Sequence, residues 1–303
     1  MSARSAASPL SGVFAAESDL GDRDAARARA RMRRRQLVLA LRLGVAIFIV
    51  GSWELTTRIG CYGPDSGTCL VDPFFFGQPS GIWNQLVLWV QRGTAQGPLW
   101  EQIVVTLEET VLGFIIGVVL GVIFGVVLGR NRLLSDVLGP YIKALNAMPR
   151  VVLGSIFIIA LGLETPSKVA LAVVLVFFVV FFNAFQGVRE VDRDLLANAR
   201  ILGASPRQLS LDVILPSALS WIIASLHTSF GFALVGAIVG EYLGARKGIG
   251  LMIATAQGTF NANGVYAAML ILAVVAIVAE ALVTRLENVL IRWRPNTVTD
   301  VTI

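Results

Sequence analysis

Few side chains in this sequence could do chemistry, and their spacing limits what kind. The chain of 303 residues has one histidine, His227, two cysteines, Cys61 and Cys69, and 20 acidic residues. The acidic residues do not join His or Cys at metal-ligand spacing, so no metal site is expected. Nothing in the sequence assembles a nucleophile, a base and an orienting acid, so no catalytic site is expected either. No G-x-x-x-x-G-K-[ST] segment occurs, so the chain has no P-loop with which to hydrolyse ATP. The ionisable groups that need an explanation are those inside apolar runs. A charge at the bilayer centre costs about 2.5–3.5 kcal/mol on insertion scales. Glu108 and Glu109 fall in the first turns of their run and read as interfacial. Glu280 stands five residues before Arg285, a spacing that puts the two on different helix faces, so a partner must come from elsewhere. His227, with Thr228 and Ser229 beside it, reads as a hydrogen-bonded structural residue rather than a proton relay.

The elements around these groups are membrane elements. Hydrophobic residues make up 55% of the chain and charged residues 15%, against about 25% in soluble domains. Mean hydropathy is +0.74. This excludes disorder, a coiled coil, a disulfide scaffold and most soluble enzymes. A net charge of +5 does not indicate nucleic acid, because the basic residues sit between apolar runs. A spanning helix needs about 20 mostly apolar residues. Runs near Leu37–Leu55, Ile103–Leu128, Val151–Leu163, Val169–Phe185, Pro216–Val239 and Val265–Ile291 give six spans. The third is too short unless its helix starts near Leu138, which predicts a kink at Pro149. With this division 19 of the 25 Lys and Arg fall on one side and 5 on the other. Basic residues mark the cytoplasm, so both termini are expected there, which requires an even number of spans. The expected fold is therefore an all-α membrane protein with six transmembrane helices. It has a basic tail over 1–36, a membrane domain over 37–295 with a long outer loop at 58–102, and a tail over 296–303. The first apolar run is not followed by a small-residue cleavage site, so it reads as a retained span rather than a signal peptide. The basic tail would lie against anionic lipid head groups.

Three local patterns stand out. Gly113, Gly117, Gly121, Gly125 and Gly129 recur every four residues and form a stripe without side chains on the second span. Such stripes let two backbones approach closely in lipid. The partner is a helix of this chain or of a second copy, and internal packing is the favoured reading. Cys61 and Cys69 lie in the outer loop, where an oxidising compartment would allow a disulfide; the alternative is two free thiols. The third pattern is the segment 186–215 on the basic side. Arg193–Leu202 reads as a short helix ended by Gly203. Ser205 follows as an N-cap, Pro206 takes the first helical position, and Gln208 completes a capping box. A second short helix is expected over Pro206–Ile214, with Pro216 opening the fifth span. The segment is either a pair of interfacial helices or a rigid knob for a cytosolic partner. The apolar residues Leu195, Leu196, Ile201, Leu202, Leu209 and Leu211 exceed what a solvated linker needs and favour the knob.

Ala197-Asn198-Ala199, Gly203 and Val213-Ile214-Leu215-Pro216 resemble the EAA loop of ABC importer permeases, the inner-membrane components of binding-protein-dependent transport systems. Ala199, Gly203, Leu215 and Pro216 match the pattern; Ala197 stands where the family has Glu, Asn198 where it has Ala, and Val213 where it has Ile. The resemblance extends over roughly Trp53–Trp293. It includes Ala147-Met148-Pro149, Gly162, and Glu241 followed by Gly248-Ile249-Gly250, and it is closest to the nitrate/sulfonate/taurine/bicarbonate branch.

This resemblance implies a type I importer permease with a defined set of partners. Two permease chains would form the pore, favoured as a homodimer. A cytoplasmic ABC ATPase subunit would hold the ATP-Mg, no cofactor being expected in this chain. A periplasmic substrate-binding protein would deliver the solute. Ala199, Gly203, Ala204, Ser205, Pro206, Arg207, Leu215 and Pro216 would form the ATPase-coupling segment. Glu241, Glu280 and His227 become candidates for the translocation pathway. The solute favoured is a small anion of the nitrate, sulfonate or taurine kind, although the basic residues within the expected spans are only Arg42 and, near the end of the sixth, Arg285. The alternative is a stand-alone secondary transporter or channel, which would show inverted repeats and broken helices.

Overall fold

The computed structural model describes residues 9–59, 72–191 and 193–290, with the side chains of 9–30, 193, 211 and 286–290 left aside. Cys61, Cys69, Asp192, Trp293 and the segment 296–303 lie outside the described residues. All regular elements among the described residues are helical. Residues 1–72 and 73–303 form two units. The first holds one helix, α1 (Pro9–Ile59), whose part Arg31–Ile59 is long and apolar enough to span a membrane. The basic stretch before the first span is therefore helical from Pro9 onward.

The second unit contains the rest. Its helices are α2 (Pro73–Phe76), α3 (Pro79–Arg92), α4 (Leu99–Arg130), α5 (Arg132–Ala147), α6 (Arg150–Leu161), α7 (Thr165–Arg189), α8 (Arg193–Ile201), α9 (Pro206–Gln208), α10 (Leu215–Leu243), α11 (Ile249–Gly258) and α12 (Ala262–Leu290). A π-helical stretch, Leu209–Ile214, joins α9 to α10. The region expected as a long outer loop is largely folded. Its helices α2 and α3 dock on the start of α12, where Asn263 Oδ1 accepts from Gln78 N at 2.8 Å and Phe74 stacks on Phe260.

The core is a slab of α4, α7 and α10. A Cβ added to Gly113, Gly117, Gly121, Gly125 or Gly129 would fall 2.4–2.9 Å from the Cβ of Ala172, Val176, Val180, Ala184 or Val188 respectively. The stripe on α4 therefore packs against α7 of the same chain. Against α7, and touching α4 through the Phe114–Phe230 ring pair, packs α10: its Gly236 and Gly240 lie against Ala172 and Lys168, and Gly187 of α7 lies against its Trp221. Val176, Val180 and Ala233 are buried where the helices meet, with Phe114 and Val118 closing over them. Lipid tails are as apolar as leucine, so this close packing, rather than escape from water, holds the slab together.

Among the described residues five helices are long and apolar enough to span a membrane, and six spans result if α5 and α6 count as one broken span. The kink expected at Pro149 is present and severe: α5 and α6 meet at 91° across Met148 and Pro149. Pro149 has no N–H to continue the ladder and disfavours helical geometry in Met148, whose ψ is 139°. Lys143 and Arg150 lie on the two arms of this broken span.

Candidate functional site

The segment 193–215 forms a rigid elbow. At the end of α8, Ala204 N donates to Ala199 O and Gly203 N to Arg200 O, both at 3.0 Å. This bonding pair needs a left-handed residue, and Gly203 supplies it with φ +82°. A side chain with a branched Cβ would be strained there. Ser205 then caps the next turn: its Oγ accepts from Gln208 N at 3.3 Å, and Gln208 Oε1 accepts from Ser205 N at 2.9 Å. Pro206 occupies the first turn, where a missing N–H costs nothing. Ile201 and Leu202 at the tip are 82% and 87% exposed, and Pro206 and Arg207 are exposed beside them. So much apolar surface at a polar turn is a docking feature.

The second half of the elbow differs from expectation. The helix begun at Pro206 does not stop before the fifth span; it runs on to Leu243. Pro216 lacks the N–H that would bond to the carbonyl of Asp212, and its ring would clash there. The chain widens just ahead of it: Leu215 N bonds to Ser210 O, five residues back, which is the π pattern. The proline is thus absorbed into a continuous rod rather than starting a new helix.

A second polar constellation ties α4, α10 and α11 together at the opposite end of α10. Thr106 Oγ1 donates to Glu241 Oε1 at 2.7 Å, and Gly250 N donates to Glu241 Oε2 at 2.6 Å. Ile249 N donates to Thr106 Oγ1 at 3.0 Å, and Gly248 N to Gln102 Oε1 at 2.8 Å. The opening N–H groups of α11 are therefore capped by side chains of α4 and α10. Gly248 has φ +116°, and a Cβ on it would sit 2.2 Å from the Glu241 carboxyl. Glu109 is 2% exposed, packed inside the protein, and its Oε2 accepts no hydrogen bond. Lys168 is fully buried nearby and donates to Leu163 O and, at 3.2 Å, to Glu164 O.

The expected pathway residues thus separate. Glu241 is fully buried with both oxygens occupied, which makes it a helix cap. His227 and Glu280 come together instead: Nε2 of His227 is 2.8 Å from Oε1 of Glu280, bridging α10 and α12 on an exposed face. Among the described residues no three His, Cys, Asp or Glu side chains converge as metal ligands would. Sequence reasoning did not single out Gln102, Thr106 and Lys168. A signal for the first two existed: Gln102, Thr106 and Thr110 also recur every four residues and join the glycine stripe at Gly113 by a three-residue step, and all three are buried.

Replacing Glu241 with Ala orphans the buried N–H of Gly250 and removes the nearer of the two acceptors of Thr106, the other being Gln102 O at 3.1 Å. The expected loss is roughly 2–4 kcal/mol of stability, since charge-assisted bonds to buried groups are lost together. Glu108→Ala, at an exposed neighbouring position, should change stability by less than about 0.5 kcal/mol. Thermal unfolding of both full-length variants in detergent checks the difference.

Comparison with known proteins agrees with this architecture. The family described as "Binding-protein-dependent transport system inner membrane component" matches residues 117–292. The chain is 30% identical over 246 residues to the putative aliphatic sulfonates transport permease SsuC of Bacillus subtilis, covering 81% of this chain and 84% of that one. It is 26% identical over 225 residues to the taurine transport system permease TauC of Escherichia coli, covering 74% and 82%. It is also 35% identical over 202 residues to the riboflavin transport system permease RibX of Chloroflexus aurantiacus, covering 67% and 75%. Among solved structures, the inward-facing MetNI methionine ABC transporter superposes with TM-score 0.51 at 19% identity, over 63% of this chain and 93% of that one, which shows a shared fold. The elbow, the small-residue slab and these matches agree: the chain belongs to the inner-membrane components of binding-protein-dependent transport systems and is a multi-pass permease subunit of an ABC importer in the bacterial plasma membrane.

Proposed function

We propose that two copies of this chain form the pore of an importer for a small anion, with six spans per copy and both termini in the cytoplasm. ATP-Mg is bound and hydrolysed on the ATPase partner, and a periplasmic binding protein delivers the solute from outside. The observation that supports the reading most directly is the elbow. Gly203, Ala204, Ser205, Pro206 and Arg207 fold into a capped turn that presents Ile201 and Leu202 to an absent partner. Ala199 belongs to it through its carbonyl, and Leu215 and Pro216 connect it to the fifth span. This is the geometry a cleft in a cytoplasmic ATPase would grip.

His227 and Glu280 are assigned to the wall of the solute pathway. Both are exposed within spanning helices, at 43% and 61% of their side chains, and hydrocarbon is a costly environment for either.

The test is an affinity pull-down of the tagged full-length chain from native membranes, with mass spectrometry of what accompanies it. A co-purifying P-loop ATPase is the expected result. A chain that purifies alone and transports in liposomes without ATP would overturn the proposal in favour of a secondary transporter, a reading to which the broken α5–α6 span lends its one supporting observation.

A further inference from the structure

The break between α5 and α6 holds charge at mid-membrane depth. Arg150 lies with its guanidinium carbon 5.6 Å from the centroid of the Phe178 ring. Phe178 is one residue past the midpoint of α7, a helix of 25 residues that spans the membrane by length and composition. Arg150 is also held from below, its Nη2 donating to Asn146 Oδ1 at 2.6 Å. These two contacts fix the side chain at the corner and leave further N–H donors of the guanidinium available. Lys143 stands two turns earlier on α5. It faces a cavity of about 570 Å³ between α5 and α7, together with Phe181, Phe182, Asp136 and Arg189.

Two costs have to be met at this corner. A cation at the bilayer centre is costly in hydrocarbon. Non-helical backbone at membrane depth is tolerated where it is buried in protein or lines a water-filled space. Arg150 is half-buried, and Met148, at the corner itself, is 47% exposed. Protein therefore does not bury the break within this chain.

We propose that the α5–α6 break lines the water-filled solute path and that Arg150 is the cation an anionic solute meets there. Phe178 and Asn146 act as its positioning residues: one supports the guanidinium plane, the other fixes its direction, so the charge is presented without a carboxylate to neutralise it in either contact. The consequence is selectivity in this chain itself, in addition to that of any delivering protein. The inference rests on the importer reading for the identity of the cargo. Its test does not: co-purification judges the importer, whereas reagent access judges the break.

The experiment uses the full chain in native membranes, in a Cys61→Ser, Cys69→Ser background. Met148→Cys reports on the break and Ile159→Cys, 86% exposed on the apolar face of α6, is the lipid-facing control. The probes are two water-soluble methanethiosulfonates of similar size, one carrying a sulfonate and one a quaternary ammonium. At Met148→Cys both should react, the anionic one preferentially, and Ile159→Cys should react with neither. Adding Arg150→Gln should lower the anionic-to-cationic rate ratio about tenfold, the scale of one unit charge acting over several ångströms in a partly screened site. Arg150→Lys should retain the preference. If Arg150→Gln does not accumulate in the membrane, raising salt from about 0.01 to about 0.3 M with Arg150 in place should reduce the ratio instead. An unreactive Met148→Cys, or a ratio that neither Arg150→Gln nor salt alters, overturns the proposal.

Discussion

Leucine at Gly121 and Gly125 together should force α4 off α7 and destabilise the protein more than any surface change. At Gly125 a Cβ already meets Ala184 Cβ and Phe181 O at 2.7 Å, and at Gly121 it meets Val180 Cβ at 2.8 Å and Phe177 O at 3.0 Å. The obstructing atoms are backbone carbonyls and the first carbons of side chains, which cannot rotate away. Overpacking costs roughly 1–3 kcal/mol per site, so the pair should remove about 4 kcal/mol or more. That is a large share of the roughly 5–15 kcal/mol that holds an average protein folded. The expected readout is a lowered melting temperature of the detergent-solubilised full-length chain. Gly231→Ala is the control, because nothing lies within 4 Å of its added Cβ. Equal melting of the Gly121/Gly125 variant and the parent would show that the stripe does not carry the α4–α7 contact.

The second large effect falls on transport rather than stability. Gly203→Val with Arg207→Glu should reduce ATP-driven uptake by the reconstituted importer at least tenfold while the chain remains in the membrane. Valine at φ +82° carries strain of about 1–3 kcal/mol, which disrupts the turn between α8 and α9. Glutamate reverses the charge on an exposed position of the docking surface. A free-energy change of 1.4 kcal/mol is already a factor of ten in an equilibrium. Membrane abundance of the variant, measured beside uptake, separates lost coupling from lost protein. Undiminished uptake would remove these residues from the coupling role.

How much of this was legible in the sequence depends on whether the signal was local. The elbow was: a Schellman turn and a capping box are defined by residues within six positions of one another, so Gly203, Ser205, Pro206 and Gln208 announce their own geometry. The glycine stripe revealed that a close partner exists, because the four-residue period is a property of one helix. That the partner is α7 was not legible, since Ala172 and Val188 are ordinary residues of an apolar run. Long-range polar contacts were the least visible. Thr106 and Glu241 are 135 positions apart, and neither residue type at that distance predicts the other. Most of α5 was hidden for a related reason. A loop assignment follows from hydropathy, and hydropathy averages over α5, whose polar residues disguise it as a connection, although it is one arm of a broken span. The merger of α9 with α10 was hidden by Pro216, which in most sequences starts a helix and here is accommodated by a widened turn.

The capped elbow and the uninterrupted helix behind it have a mechanical consequence. Pro206–Leu243 is a run of 38 residues, so at about 1.5 Å per residue it is a shaft of roughly 57 Å. One end carries the elbow with Ile201 and Leu202 exposed. Its other end, at Gly240 and Glu241, is pinned to Lys168, α4 and α11. Along its length Gly187, Gly236 and Gly240 leave no slack in its seating against α7, and the α4 glycines leave none between α4 and α7. Such a block transmits torque instead of absorbing it as bending. A turn of about 5° about the pinned end would carry a tip roughly 50 Å away through about 4 Å, and the same turn, run in reverse, lets a displacement of that size at the tip tilt the whole three-helix slab. Compliance is then concentrated where the slab ends, in the right-angled corner between α5 and α6.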